Sequence, residues 1–95
     1  MHDRILQAIF RVIDEINLQR PKRSKLAKSE GTKLAELDSL GMANFLVLAE
    51  QEINKEFGRG VNLLEEGSLV DGFERQTIGS AVGIIERLLE RDSDD

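Results

Sequence analysis

One serine in this 95-residue chain stands where a side chain could do chemistry, in the tripeptide Asp38-Ser39-Leu40. An apolar periodic run begins there, so Asp38 is placed to cap a helix and Ser39 to occupy its first position. A hydroxyl at that position points outward. A phosphodiester built on it would meet free backbone N–H donors and roughly half a positive charge at the helix N-terminus. The Asp38 carboxylate opposes part of that charge, yet it offers a ligand beside the hydroxyl to a metal-bound phosphoryl donor. The same three residues also make an ordinary helix start, and alone they do not separate the two readings.

A serine that attacks needs a base. The single histidine, His2, lies at the chain's start, where an inert surface residue on a mobile end is expected. Residues Leu37 to Gly41 lack the first glycine of a G-x-S-x-G elbow. With no cysteine there is no thiolate and no disulfide, and one histidine alone makes no chelating pair. Glu65, Glu66, Asp71 and Glu74 lack the alternation and glycine of an EF-hand loop and read as solvated surface. No catalytic residue and no metal ligand is assigned, and the chain is expected not to be an enzyme.

The elements that must position Ser39 are helices. Aliphatic residues dominate the apolar content, with four Phe and one Pro, which suits an all-α bundle better than a β-sandwich. Ile5, Leu6, Ile9, Val12, Ile13 and Ile16 recur at helical spacing and predict a first helix over about residues 3–17. From Leu18 to about Glu36 the periodicity stops, and a long solvated connection is expected, pinned to the core by Leu26, Leu34 and Leu37. The second helix carries Met42, Phe45, Leu46, Ala49, Ile53 and Phe57 inward and ends at Gly58 and Gly60. Residues 61–76 hold a short helix or a few turns around Leu69, Val70 and Phe73. Thr77 caps a last helix with Ile78, Val82, Ile85 and Leu89 on one stripe, where Gly79 and Gly83 are expected to allow close helix packing. A single domain over residues 1–91 and an acidic, frayed tail over 92–95 follow.

The net charge of −5 is unevenly distributed: −1 over residues 1–17, +5 over 18–33 and −9 over 34–95. The basic stretch comprises Arg20, Lys22, Arg23, Lys25, Lys28 and Lys33. With no aromatic residues between them to stack on bases, these cations make poor nucleic-acid machinery. A solvated loop or docking to an acidic partner remains. No run of about 18 apolar residues and no signal-peptide pattern is present, so a cytoplasmic protein without membrane insertion is expected.

The order of these features resembles the acyl carrier proteins and related thiolation domains over about residues 3–91. The resemblance rests on Leu34-Ala35-Glu36-Leu37-Asp38-Ser39-Leu40 opening a long helix after a long loop. Glu56-Phe57 with Val61 four residues later, a short acidic third segment and a last helix entered through Thr77-Ile78 complete it. It implies an acyl-carrier-like four-helix bundle and a monomer. It also implies that Ser39, within the attachment motif of Asp38 and Leu40, receives 4'-phosphopantetheine from coenzyme A through a phosphopantetheinyl transferase. The thiol of that arm would carry acyl groups as thioesters between acyl-loading, condensing or acyl-transfer enzymes. A peptidyl or aminoacyl carrier shares this chemistry and differs in cargo, and an unmodified helical interaction module is the rival from another class.

The chain also departs from the family. Positions after the serine's leucine that are commonly acidic hold Gly41 and Asn44, and the interval from Ser39 to Phe57 is about one turn longer than usual, which keeps the helical phase. These departures and the basic loop point to a specialised fatty-acid, lipid or polyketide-type pathway. Ala43, Val47, Glu50 and Asn54 form an outer stripe, and partner recognition is expected at Met42, Val47 and Glu50. A solvated helix face with a scattered apolar residue gives the same pattern.

Overall fold

The apolar residues spaced three and four apart near the N-terminus fold into the helix that the rest of the chain wraps. In the computed structural model, which describes residues 1–58 and 61–92, α1 spans His2–Asn17, with Ile5, Ile9, Val12 and Ile13 fully buried. Three further α-helices follow among the described residues: α2 (Ser39–Phe57), α3 (Gly67–Val70) and α4 (Ile78–Asp92). Short 3-10 turns at Lys22–Ser24, Leu34–Glu36 and Phe73–Arg75 punctuate the connections. The fold is all-α.

Helix α1 packs against both α2 and α4. Phe45, Leu46, Ala49 and Ile53 of α2 and Ile78, Val82, Ile85 and Leu89 of α4 belong to one core around α1, with Leu63, Leu69 and Phe73 from the segment between α2 and α4. The rings of Phe45 and Phe73 pack edge to face with centroids 5.9 Å apart, a geometry that adds about 0.5–1.5 kcal/mol to area burial. Met42 and Phe57, expected inside, are only partly buried at the two ends of α2.

Both ends of α2 follow from local residue choice. Gly58 takes a left-handed conformation (φ 66°) that glycine adopts without a side-chain penalty, and its N–H closes on Asn54 O at 2.9 Å. Gly60, the second expected stop, lies outside the described residues. Helix α4 starts with a reciprocal cap: Ser80 N donates to Thr77 Oγ1 at 3.1 Å and Thr77 N donates to Ser80 Oγ at 2.9 Å. Of the expected acidic tail, Asp92 ends α4 and residues 93–95 lie outside the described residues.

The first loop is far from a slack tether. Leu26, Leu34 and Leu37 are buried as expected, and Asn17 clamps the Leu26 backbone from both sides. Its Nδ2 donates to Leu26 O (2.9 Å) and its Oδ1 accepts from Leu26 N (2.8 Å). Farther along, the loop is stitched to the start of α4: Ile78 N donates to Thr32 O at 2.9 Å, Gly79 N to Glu30 O at 2.8 Å and Leu34 N to Gln76 O at 3.0 Å. These bonds explain Gly79 differently from the sequence reading. A Cβ there would stand 3.1 Å from Glu30 O, so it is the loop backbone, not a helix, that comes close. At Gly83 a Cβ would meet nothing within 4 Å, and no close packing requires that glycine.

Candidate functional site

The site is built from the α2 N-terminus downward. Leu37 is buried and anchors the chain just before the helix. Asp38 is extended (φ −77°, ψ −175°), and its Oδ1 accepts the Gly41 N–H at 2.7 Å while its carbonyl accepts the Met42 N–H at 2.8 Å. This is an N-cap, and it places Ser39 at the first helical position with its side chain exposed. The Ser39 hydroxyl has no hydrogen-bond partner among the described residues.

Gly41 has a part in this cap that its neutrality did not suggest. A Cβ at that position would lie 3.2 Å from Asp38 Oδ1 and 3.3 Å from the Leu37 side chain. The missing side chain lets the capping carboxylate and the anchoring leucine converge on one turn. Leu40, next to the serine, is 74% exposed.

No family model, curated protein or solved structure matches this chain.

The residues expected to recognise partners are placed differently from one another. Val47 stands on the outer face of α2, 39% exposed. Met42 packs at the rim of the core. Glu50 turns toward the segment after α2, where its Oε1 accepts from Leu63 N at 2.5 Å and from Leu64 N at 3.2 Å. Asn54 acts alike one turn later, accepting from Val61 N at 3.0 Å. Both side chains satisfy backbone donors of a returning loop.

The remaining acidic residues of α2 are also engaged internally. Glu56 accepts from Arg4 (3.1 Å) and Arg11 (3.0 Å) of α1, and these hydrogen bonds hold its carboxyl below the usual glutamate range. Arg4 also donates to Glu56 O at 2.9 Å and lies 4.5 Å from the Phe57 ring centroid. Glu52 stands 3.6 Å from Arg11 and 3.5 Å from Lys55. Thus the outer face near Ser39 consists of Leu40, Ala43, Asn44 and Val47, all exposed and none charged.

A groove of about 430 Å³ runs beside this face, between the end of α1 and the first half of α2. Asp38 and Leu40, which flank Ser39, are among its lining residues, as are Ile16, Arg20, Asn44 and Val47. Arg20 is held there by its Nε, which donates to Ser24 O at 2.6 Å. Lys28 pairs with Asp14 at 3.3 Å, whereas Lys22, Arg23 and Lys25 have no ion-pair partner among the described residues.

His2 is not among the residues around Ser39, and it is not isolated. It is the first residue of α1, with Nε2 3.1 Å from Glu30 Oε1 and Nδ1 3.7 Å from Glu86 Oε1. The hydrogen bond with Glu30, aided by the charges of Glu30, Glu86 and Asp3, raises its pKa above the ordinary 6.5. Among the described residues no cluster of three or more His, Asp or Glu side chains could hold a metal ion, and no helix is long and apolar enough to cross a membrane.

Proposed function

We propose that the chain is a carrier domain of the acyl-carrier type, with Ser39 as the attachment point for 4'-phosphopantetheine. The observation that carries this reading is the exposed, unpartnered Ser39 hydroxyl on the first residue of a capped 19-residue helix. A long first loop before that helix, a short third helix and a closing fourth helix agree with it.

In the transfer, Ser39 Oγ bonds to the phosphorus of coenzyme A that bears pantetheine. The bond from that phosphorus to the remaining nucleotide breaks, adenosine 3',5'-bisphosphate leaves, and the hydroxyl proton passes to a base of the phosphopantetheinyl transferase. When bound, the arm supplies a thiol, which this cysteine-free chain lacks, for acyl groups held as thioesters. The chain's own residues position and present. Asp38 fixes the first turn by accepting the Gly41 N–H, and the amides of Ser39 and Leu40 at the positive end of α2 would help to hold the phosphodiester charge. The chain is then a carrier and not a catalyst, serving acyl-loading, condensing or acyl-transfer enzymes of a specialised fatty-acid, lipid or polyketide-type pathway; an aminoacyl or peptidyl cargo would use the same attachment.

Partner enzymes would dock mainly through apolar contact, because Glu50, Glu52 and Glu56 are occupied within the fold and Leu40 and Val47 are not. Exposure of Leu18, Leu40 and Val47 also favours a second reading, an unmodified helical interaction module. Incubation with coenzyme A, Mg2+ and a promiscuous transferase, followed by intact mass, distinguishes the two. A carrier gains roughly 340 Da, the mass of the arm. A chain that stays at its starting mass with several transferases is not a carrier.

A further inference from the structure

The turn that follows α1 concentrates positive charge on a fixed backbone. Residues 18–26 hold Arg20, Lys22, Arg23 and Lys25 and no acidic residue. Asn17 closes the turn at its base by bonding both the N–H and the C=O of Leu26. Inside it, Ser24 N donates to Pro21 O at 2.8 Å and Arg20 Nε donates to Ser24 O at 2.6 Å, while the Pro21 ring holds φ at −59°. Lys22, Arg23 and Lys25 are exposed, and none has an ion-pair partner among the described residues.

A leucine stands in water at the start of this turn. Leu18 is 77% exposed, more than any other large apolar residue among the described residues. It lines a depression with Arg11, Asp14, Glu15 and Glu52. Two of the acids there are matched: Asp14 lies 3.3 Å from Lys28, and Glu52 lies 3.6 Å from Arg11 and 3.5 Å from Lys55. On the other side, Arg20 shares a groove with Glu15, Asp38, Leu40 and Val47, so the cationic turn adjoins the exposed apolar face of α2. At this end of the bundle Arg20, Lys22, Arg23 and Lys25 outweigh Glu15 and Asp38, and the Asp38 carboxylate is engaged in capping α2.

An extended polyanion fits this surface poorly. Residues 34–95 sum to −9 and would repel a nucleic acid or an anionic membrane that reached past the turn, and the turn offers no aromatic ring on which bases could stack. A short protein segment meets neither objection, because it can set carboxylates on the turn alone and an apolar side chain on Leu18. We propose that Leu18 and the turn carrying Arg20, Lys22, Arg23 and Lys25 form a docking surface for an acidic, apolar-faced helix of a partner protein, whether or not Ser39 carries an arm. The turn is ordered before contact, so little conformational freedom is lost on docking. One turn buries less than the roughly 1,200 Å² of a stable interface, so the complex exchanges quickly and its rate of formation depends on charge.

The test titrates a synthetic helix, with glutamates along one side and leucines along the other, into the isotope-labelled chain and follows backbone amides by NMR. Those of Leu18, Arg20, Lys22, Arg23 and Lys25 should shift, and those of Ile53 and Leu63 should not. The shifts should vanish at about 1 M salt, where the Debye length is about 3 Å. The double variant Lys22→Glu/Arg23→Glu should lose binding and Leu18→Ser should weaken it several-fold, both with the wild-type resonances at Ile53 and Leu63 that mark an intact core. Shifts centred elsewhere, or binding that survives both variants, overturn the surface. Tighter binding of a single-stranded RNA or of vesicles rich in anionic lipid overturns the protein partner. The titration needs no loaded Ser39, so its result stands apart from the mass-gain test of the carrier reading.

Discussion

Glu50 Oε1 lies 2.5 Å from the Leu63 backbone nitrogen, so a carboxylate on the long second helix holds down the first turn of the segment that returns from it. The same oxygen also takes Leu64 N at 3.2 Å. Leu63 is fully buried, so the tether holds a residue of the core. Replacing Glu50 by alanine leaves a part-buried N–H without its acceptor, which costs about 1–3 kcal/mol. Glu50→Gln keeps an acceptor oxygen and should lose less. Urea unfolding checks this, with the midpoint falling in the order wild type, Glu50→Gln, Glu50→Ala. Equal midpoints for all three would contradict the tether.

His2 gives the fold a pH dependence of known sign. Its pKa is raised in the folded chain, chiefly by the hydrogen bond with Glu30 and further by the charges of Glu30, Glu86 and Asp3. The stabilisation is therefore fully present below the unfolded value near 6.5 and disappears as pH rises through the folded value. The stability difference between wild type and His2→Gln should be larger at about pH 5.5 than at about pH 8.5. A difference that grows with pH would show that the His2 bridge does not form.

Gly79 and Gly83 lie on the same helix yet should respond oppositely to alanine. At Gly83 the new methyl meets nothing within 4 Å, so Gly83→Ala should stabilise by about 0.5–1 kcal/mol through helix propensity. At Gly79 it would press on Glu30 O, a backbone atom that cannot swing aside, and the Gly79 N–H bond to that same oxygen would be strained. Gly79→Ala should lower the thermal midpoint while Gly83→Ala raises it. A rise for both would mean that the first loop does not bear on α4.

The contrast between these glycines shows which parts of the fold could be read from residue order. Helix α1 was legible because Ile5, Ile9, Val12 and Ile13 repeat with the helical period, and the α2 start because an aspartate before an apolar run is a capping signal. The anchoring of the loop by Leu26, Leu34 and Leu37 was legible as isolated leucines in a polar stretch. Bonds such as Glu30 O to Gly79 N join backbone atoms far apart in the chain, which no residue type announces. Glu50 and Asn54 sat on the outer stripe by periodicity, but their side-chain oxygens meet the backbone of a loop whose path is set by tertiary packing. At the candidate site, the tripeptide was legible, whereas the role of Gly41 and the groove beyond Leu40 emerged only from the packing of α1 against α2.

Asn17 extends the same point to the first loop. Its side chain meets both the N–H and the C=O of Leu26, so Asn17→Ala leaves two part-buried backbone groups unsatisfied and should destabilise by about 1–3 kcal/mol. Hydrogen exchange at Leu26 should accelerate far more than exchange at Ile53 in the α2 core. Uniform acceleration across both sites would indicate global weakening and not release of the loop.

The most direct test of the attachment claim is to locate the arm. After incubation with coenzyme A, Mg2+ and a phosphopantetheinyl transferase, proteolysis and fragmentation should place the added mass of roughly 340 Da on Ser39 alone. Ser24, Ser29, Ser68, Ser80 and Ser93 should remain unmodified, and Ser39→Ala should gain nothing. Added mass on any other serine, or none on the wild-type chain with several transferases, would contradict the account.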